Sequence, residues 1–270
     1  MEGEQLFESE NLSAISREAV REAYLTKFEP RSYAEITKEY RLYPFHQEEL
    51  HRIFFSDLVE GRTTLLEVGC GPTAAFVLTA AARFQGIVLS DLVDSNRLEV
   101  DKWLRNSADA IDLSFWAKSI AALEGHVDTR KGALEIMERA RRAVRKVVPC
   151  DVLDPAVLPE DHRDTFDVVL SCNCLESATA DLQSYRRALS NVGRLVTRGG
   201  LLVQAGVGGI TSHRVGQETV PMTCLDESSI MEALADAGFR VETFRKKMYD
   251  GPDCKARGKR FGFVLAATRL

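Results

Sequence analysis

Apolar residues along this chain follow two rhythms, and the change from one to the other divides it. Ile15, Val20, Ala23, Tyr24 and Phe28 recur at helical spacing, which predicts a helix over residues 11–28. Pro30 and the segment around Tyr33 are expected to break it. Pro44 to Val59 carries Phe45, Leu50, Ile53, Phe54 and Leu58 on one side, and reads as a second helix. After Gly61 short, nearly continuous apolar runs take over. Thr64 to Val68, Gly86 to Asp91, Lys146 to Asp151, Phe166 to Ser171 and Leu201 to Ala205 read as five strands. Helices are expected between them at Ala74 to Arg83, Asn96 to Asn106, Leu134 to Val144 and Leu182 to Val196. Arg198-Gly199-Gly200 reads as a tight turn, and residues 206–224 as a long loop or hairpin. Asp226 can cap a helix running to Ala237. Phe239 to Phe244 and Phe261 to Ala267 are two last strands with no helix between them, and should pair antiparallel. Strands alternating with helices imply an α/β fold, a mostly parallel sheet covered on both faces.

The 270 residues suffice for one large domain or two small ones, and a single α/β core is readily buried at this length. The net charge of −5 gives no overall help in gripping nucleic acid, whose affinity comes largely from Lys and Arg on phosphates. No apolar run reaches the ~18 residues of a membrane helix. Met1 to Ser9 is acidic and polar, unlike a secretory signal. The six cysteines are Cys70, Cys150, Cys172, Cys174, Cys224 and Cys254. Their irregular spacing suggests reduced thiols in a cytoplasmic protein. Cys172 and Cys174 form a C-x-C pair, but nothing completes a metal site around it. Hence neither a metal, a membrane nor a nucleic acid is expected as a partner.

The candidate chemistry lies at the strand ends. Glu67-Val68-Gly69-Cys70-Gly71 closes the first strand with two glycines, which let the backbone approach a ligand at the carboxyl edge of a doubly wound sheet. A Gly-x-Gly turn alone also suits a dinucleotide, or no ligand at all. Asp91 ends the second strand 22 residues after Gly69, where a carboxylate can take ribose hydroxyls. Asp151 ends the third, where it can accept an adenine amino group. Glu67 can hold a cationic amino-acid end. Three acids suit a phosphate-free ligand such as S-adenosylmethionine. They would repel a pyrophosphate, which needs a free helix N-terminus, and Pro72 removes one backbone donor there. Each acid alone could merely cap a strand or helix.

From about Ala23 to Leu270 the chain resembles the small-molecule amine N-methyltransferases, which include the nicotinamide, phenylethanolamine and indolethylamine enzymes. The matching segments are Tyr24-Leu25 through Phe28-Glu29-Pro30-Arg31-Ser32-Tyr33, Glu67 through Thr73, Ser90-Asp91-Leu92 through Asn96, Lys102-Trp103-Leu104, Cys150-Asp151-Val152, Cys174-Leu175-Glu176-Ser177 and Gly199-Gly200. In the family, Asp and Ser are commoner at the positions of Glu67 and Cys70. The resemblance implies a Rossmann-like class I methyltransferase with a seven-stranded sheet. It also implies a helical lid over residues 1–60, a catalytic domain over 61–270, and a monomer. It implies S-adenosylmethionine as cofactor, held by Tyr33, Gly69, Cys70, Gly71, Thr73, Asp91, Asn96, Asp151, Val152 and Cys172. Lys38 stands where the family has a second lid tyrosine, and Tyr40 is the candidate to fill that role.

On the acceptor side the resemblance places Tyr24 near the substrate and makes Glu176 the acid that positions it. Acids that family members carry further on are replaced here by Gly206 and Gly209, and Val207 to Gly216 is closer to the indolethylamine enzymes. Glu176 could equally be a helix-start carboxylate facing a dipole. The expected reaction is in-line methyl transfer to a small amine or pyridine nitrogen, with Tyr24, Tyr33, Tyr40 and the N-terminal helices closing over both ligands. Alternatives are a methyltransferase of a thioether or thiol, a cofactor-binding protein without catalysis, or a nicotinamide-dependent oxidoreductase.

Overall fold

The structure is a computed structural model and describes residues 18–162, 164–249 and 260–270. Ile15, the Met1 to Ser9 segment and Cys254 lie outside the described residues. Helix α1 is described over residues 18–27. The helices that follow are α2 (Pro30–Lys38), α3 (Tyr43–Phe54), α4 (Val77–Ala80), α5 (Asp94–Leu104), α6 (Ser114–Leu123), α7 (Thr129–Ala143), α8 (Leu182–Gly193) and α9 (Glu227–Asp236). The strands are β1 (Thr64–Val68), β2 (Gly86–Asp91), β3 (Val144–Pro149), β4 (Phe166–Cys172), β5 (Val196–Gly208), β6 (Ser212–Val215), β7 (Glu218–Pro221), β8 (Phe239–Met248) and β9 (Phe261–Arg269).

Seven strands form one sheet in the order β3-β2-β1-β4-β5-β9-β8, while β6 and β7 form a separate hairpin. The first five pair parallel, and β9 runs antiparallel to both β5 and β8. The chain therefore builds outward from β1 through β2 to β3, then crosses back to place β4 on the other side of β1. The crevice at such a reversal, beyond the carboxyl ends of the strands, is where an open α/β sheet binds its ligand.

Alternation along the strands sorts the core into two layers. Leu65, Val168, Leu170, Leu201, Val203, Val264 and Ala266 share one layer with Leu50, Ile53 and Phe54 of α3, Trp116 of α6 and Ile136 of α7. Leu66, Val169, Leu202 and Leu265 share the other with Tyr185 and Leu189 of α8 and Ile230 of α9. Strands covered on both faces need no polar alternation, which is why they read as unbroken apolar runs. Glu67, two residues from Leu65, points to the α3 side by the same alternation.

Several local expectations are corrected. Pro30 opens a helix, because its fixed φ and missing N–H suit the first helical turn, so Tyr33 lies on α2 after a break at residues 28–29. The apolar run from Ala74 holds only the one-turn α4, preceded by Ala74 at φ 43°. Residues 107–133, where the apolar pattern predicts no helix, contain all of α6 and the start of α7, which Asp128 caps. The Arg198-Gly199-Gly200 segment is a bulge inside β5, with Gly199 at φ 72° and a register shift against β4.

Candidate active site at the sheet reversal

Val68 ends β1, and the next backbone turns sharply with Gly69 at φ 72° and Gly71 at φ 62°. The N–H groups of Gly69 and Cys70 both donate to Ser90 O, at 2.8 and 2.9 Å, which ties the turn to β2. Glycine is required twice over at position 69. A Cβ there would come within 2.6 Å of Cys174 Cβ and closer still to its Sγ. Gly71 faces the Tyr33 ring, 3.8 Å from where its own Cβ would be. The Cys70 Sγ caps Gly71 O at 3.3 Å, and Thr73 is buried just beyond.

Asp91, at the tip of β2, is buried, and burial raises its pKa against the pull of three donors. Gly71 N–H reaches Oδ2 at 2.8 Å; Val93 N–H and Asn96 Nδ2 reach Oδ1 at 2.9 and 3.0 Å. A carboxylate offers about four acceptor sites, so about one is left. Asn96 Oδ1 lies buried beside it without a hydrogen bond. Asp151, just past β3, takes Leu153 N–H on Oδ1 and Arg21 of α1 on Oδ2. Val152 is buried, and its carbonyl accepts from Asn191 of α8. Glu67 has no hydrogen bond at either carboxylate oxygen although it is fully buried. Burial, reinforced by Asp91, pushes its pKa up to about 8.

The opposite wall comes from the segment after β4. Cys172 is buried at the strand's end, and burial holds its thiol protonated. Glu176 lies in a turn six residues before α8, which Asp181 caps, so the helix-start reading of Glu176 does not hold. Its Oε1 accepts Val207 N–H at 3.0 Å, its Oε2 has no partner, and burial lifts its pKa to about 7. A Cβ on Gly206 would stand 2.6 Å from that Oε1, so glycine at this position leaves room for the carboxylate. Tyr33, whose hydroxyl burial pushes up to about 12, feels Asp91, Cys174, Cys172 and Glu176. Of the residues named from the sequence, Gly71, Asp91 and Asn96 are thus joined by hydrogen bonds, with Tyr33 against Gly71 and near Cys172 and Glu176, while Asp151 and Val152 lie past the tip of β3.

The remaining tyrosines separate. Tyr24 hydrogen-bonds His213 Nε2 of β6 at 2.7 Å and stacks on Phe28 at 5.7 Å. Burial keeps His213 neutral, lowering its pKa to about 4. The hydroxyl of Tyr40, raised by burial, feels Tyr249, Glu176 and Tyr33. Sequence reasoning missed Tyr43, His46 and Gln47, all buried on α3. The available signal was a polar residue on an otherwise apolar helical stripe. His46 is neutral, burial lowering its pKa to about 4. Among the described residues no cluster of His, Cys, Asp and Glu is placed to hold a metal ion, and no helix is long and apolar enough to cross a membrane.

Residues 14–268 match the model of the NNMT/PNMT/TEMT family. The chain is 33% identical over 234 residues to nicotinamide N-methyltransferase of Sus scrofa, covering 83% of this chain and 86% of that one. It is 33% identical over 232 residues to indolethylamine N-methyltransferase of Oryctolagus cuniculus, covering 81% and 85%. Its fold superposes on magnesium protoporphyrin IX methyltransferase of Synechocystis with a TM-score of 0.53 at 13% identity, over 94% of this chain and 97% of that one. The glycine turn, the acids at successive strand tips and this match over nearly the whole length lead to one assignment: the chain belongs to the NNMT/PNMT/TEMT family of S-adenosylmethionine-dependent methyltransferases.

Proposed function

We propose that this enzyme methylates the nitrogen of a small amine or pyridine, with Glu176 as the group that positions the acceptor. The observation that carries this reading is the pair of buried carboxylates with unpartnered oxygens, Glu67 on one side of the turn and Glu176 on the other. Such groups are costly to leave unpaired inside a protein and call for a cationic or hydrogen-bonding ligand. The residues fit S-adenosylmethionine. Glu67 would hold its ammonium, the last acceptor site of Asp91 and Asn96 Oδ1 would take one ribose hydroxyl each, and Asp151 beside Val152 would receive the adenine amino group. Gly69, Cys70, Gly71, Thr73, Tyr33 and Cys172 supply the close-fitting wall.

When bound, the cofactor supplies a methyl group already activated by a positive sulfur. The protein's work is positioning and exclusion of water, which can supply several kcal/mol. Among the described residues of the 1–60 segment, Tyr24 of α1, Tyr33 of α2 and Tyr40 cover the space. α3 instead lies within the main core. Glu176 holds an amine by its free oxygen and, with a pKa near neutrality, can take a proton from it. Neutral His213 fixes the Tyr24 hydroxyl. The relatives named for nicotinamide and for indolethylamine favour a nitrogen acceptor over sulfur. We take the enzyme to act as a monomer in the cytoplasm, a setting that suits its buried free thiols.

The test is turnover of methyl-labelled S-adenosylmethionine against a panel of primary amines, pyridines, thiols and thioethers. Label on an amine or pyridine nitrogen is the expected result. Transfer to sulfur alone, or cofactor binding without turnover on any acceptor, would overturn the assignment.

A further inference from the structure

Among the described residues, three side chains at this end of the sheet carry buried polar atoms with no well-formed hydrogen bond. Tyr43 Oη, Gln47 Oε1 and Nε2, and both oxygens of Glu67 make no hydrogen bond. The residues are 5%, 3% and 0% exposed. Tyr43 and Gln47 are four apart on α3 and therefore share a face. Glu67 projects from β1 into the layer that α3 covers. The ring of Tyr43 is fixed on Phe76, just past the glycine turn, at 5.0 Å, and leans on Trp116 at 6.0 Å. Its hydroxyl feels Cys172, Glu67 and Tyr33 and lies beside the Gln47 amide, so the two polar side chains sit together on the Glu67 side of α3.

Native proteins rarely leave so many buried polar atoms unpaired in one place. Neutral donors and one carboxylate answer a specific demand. The amino-acid end of a nucleoside thioether or sulfonium carries an ammonium and a carboxylate side by side. Glu67 suits the ammonium. The carboxylate needs donors that do not neutralise Glu67, and a phenol O–H and an amide N–H meet that need.

We propose that Tyr43 and Gln47 of α3 bind the carboxylate of the cofactor's amino-acid end while Glu67 binds its ammonium, so that α3 reads the part of the ligand beyond the ribose. This rests on the S-adenosylmethionine reading above and adds to it two residues with a defined role.

The test compares two ligands that share adenosine and sulfur. S-adenosylhomocysteine carries the amino-acid end, and 5′-methylthioadenosine lacks it. Calorimetric titration of the whole protein should show Tyr43→Phe and Gln47→Leu each weakening S-adenosylhomocysteine roughly tenfold or more, as expected for a hydrogen bond to a charged group. Binding of 5′-methylthioadenosine should stay within about twofold of the parent, which also shows that the site is intact. Without ligand, Tyr43→Phe should unfold at the same temperature as the parent or higher, since it removes a buried hydroxyl with no partner. Equal weakening of both ligands, or no change in either, would overturn the proposal while leaving the cofactor assignment standing. If the parent protein binds neither ligand, the cofactor assignment fails and this proposal with it.

Discussion

Arg21 of α1 donates its Nε to Asp151 Oδ2 at 2.8 Å, across 130 residues of chain. The contact fastens the N-terminal helix to the tip of β3, beside the place assigned to adenine. Arg21 is half exposed, and such pairs are worth about 0–1 kcal/mol. Arg21→Ala should therefore speed cofactor dissociation by at most about fivefold and leave thermal stability almost unchanged. Stopped-flow displacement at low and high salt checks this: the difference between variant and parent should shrink as salt screens the pair.

Asp91→Asn should weaken S-adenosylhomocysteine by roughly 10- to 100-fold in calorimetric titration, the range for loss of a charge-assisted hydrogen bond. It should also loosen the glycine turn, because Asp91 accepts from Gly71, Val93 and Asn96 in the protein itself. Unchanged affinity would remove Asp91 from the ribose role.

Glu67 and Glu176 make the free enzyme sensitive to pH. Burial raises both above the ordinary glutamate value of 4.5, Glu67 to about 8 and Glu176 to about 7. The folded state thus holds protons that the unfolded state releases. Stability from this source is full below about pH 4.5 and is lost as pH rises through 7 to 8. Chemical denaturation of the ligand-free enzyme should show less stability at pH 8.5 than at pH 6, by on the order of a few kcal/mol, and Glu67→Gln should flatten the difference. An ammonium against Glu67 favours the charged form, so binding S-adenosylhomocysteine at pH 7 should release a proton. Titration in buffers of different ionisation enthalpy would detect it.

Glu176→Gln should raise KM for an alkylamine by about tenfold and affect a neutral pyridine far less, since only the amine needs the negative charge. In the parent, KM for the amine should rise as pH falls through about 7, where the carboxyl takes up its proton. Equal effects on both acceptors would make Glu176 a purely structural support for Val207 N–H.

Gly69→Ala should abolish cofactor binding and cost about 1–2 kcal/mol from the positive φ alone. Collision with Cys174 adds to this. Combining it with Cys174→Gly, which removes both the Cβ and the Sγ, should restore part of the stability in thermal melts without restoring full affinity.

Strands β1 and β2 begin and end where the apolar runs do, because strands covered on both faces leave an unmistakable composition. Asp226 announces α9 through a local capping box that needs no tertiary information. The failures are local sequences with two solutions. Pro30 can end a helix or open one, and Gly199 can turn a chain or bulge a strand. Asp91 and Asp151 could be placed at strand ends because each closes an apolar run in the sequence. Tyr43, Gln47 and Arg21 were not legible, since their roles arise only when α3 folds against β1 and α1 reaches β3, contacts between segments with no shared pattern.

The N-terminal helix rests on the β6–β7 hairpin through Val20, Val215 and Val220, a cluster separate from both main layers. Detaching it would expose a few aliphatic side chains and break the Tyr24–His213 and Arg21–Asp151 contacts, while the pairings of the seven-stranded sheet stay in place. On the proposed reading of α1 as part of the cover, spent nucleoside leaves without any strand of the main sheet having to part. On that reading the pace of repeated turnover follows how readily these few contacts part, and solvent viscosity should slow the enzyme more than a heavier isotope in the transferred methyl.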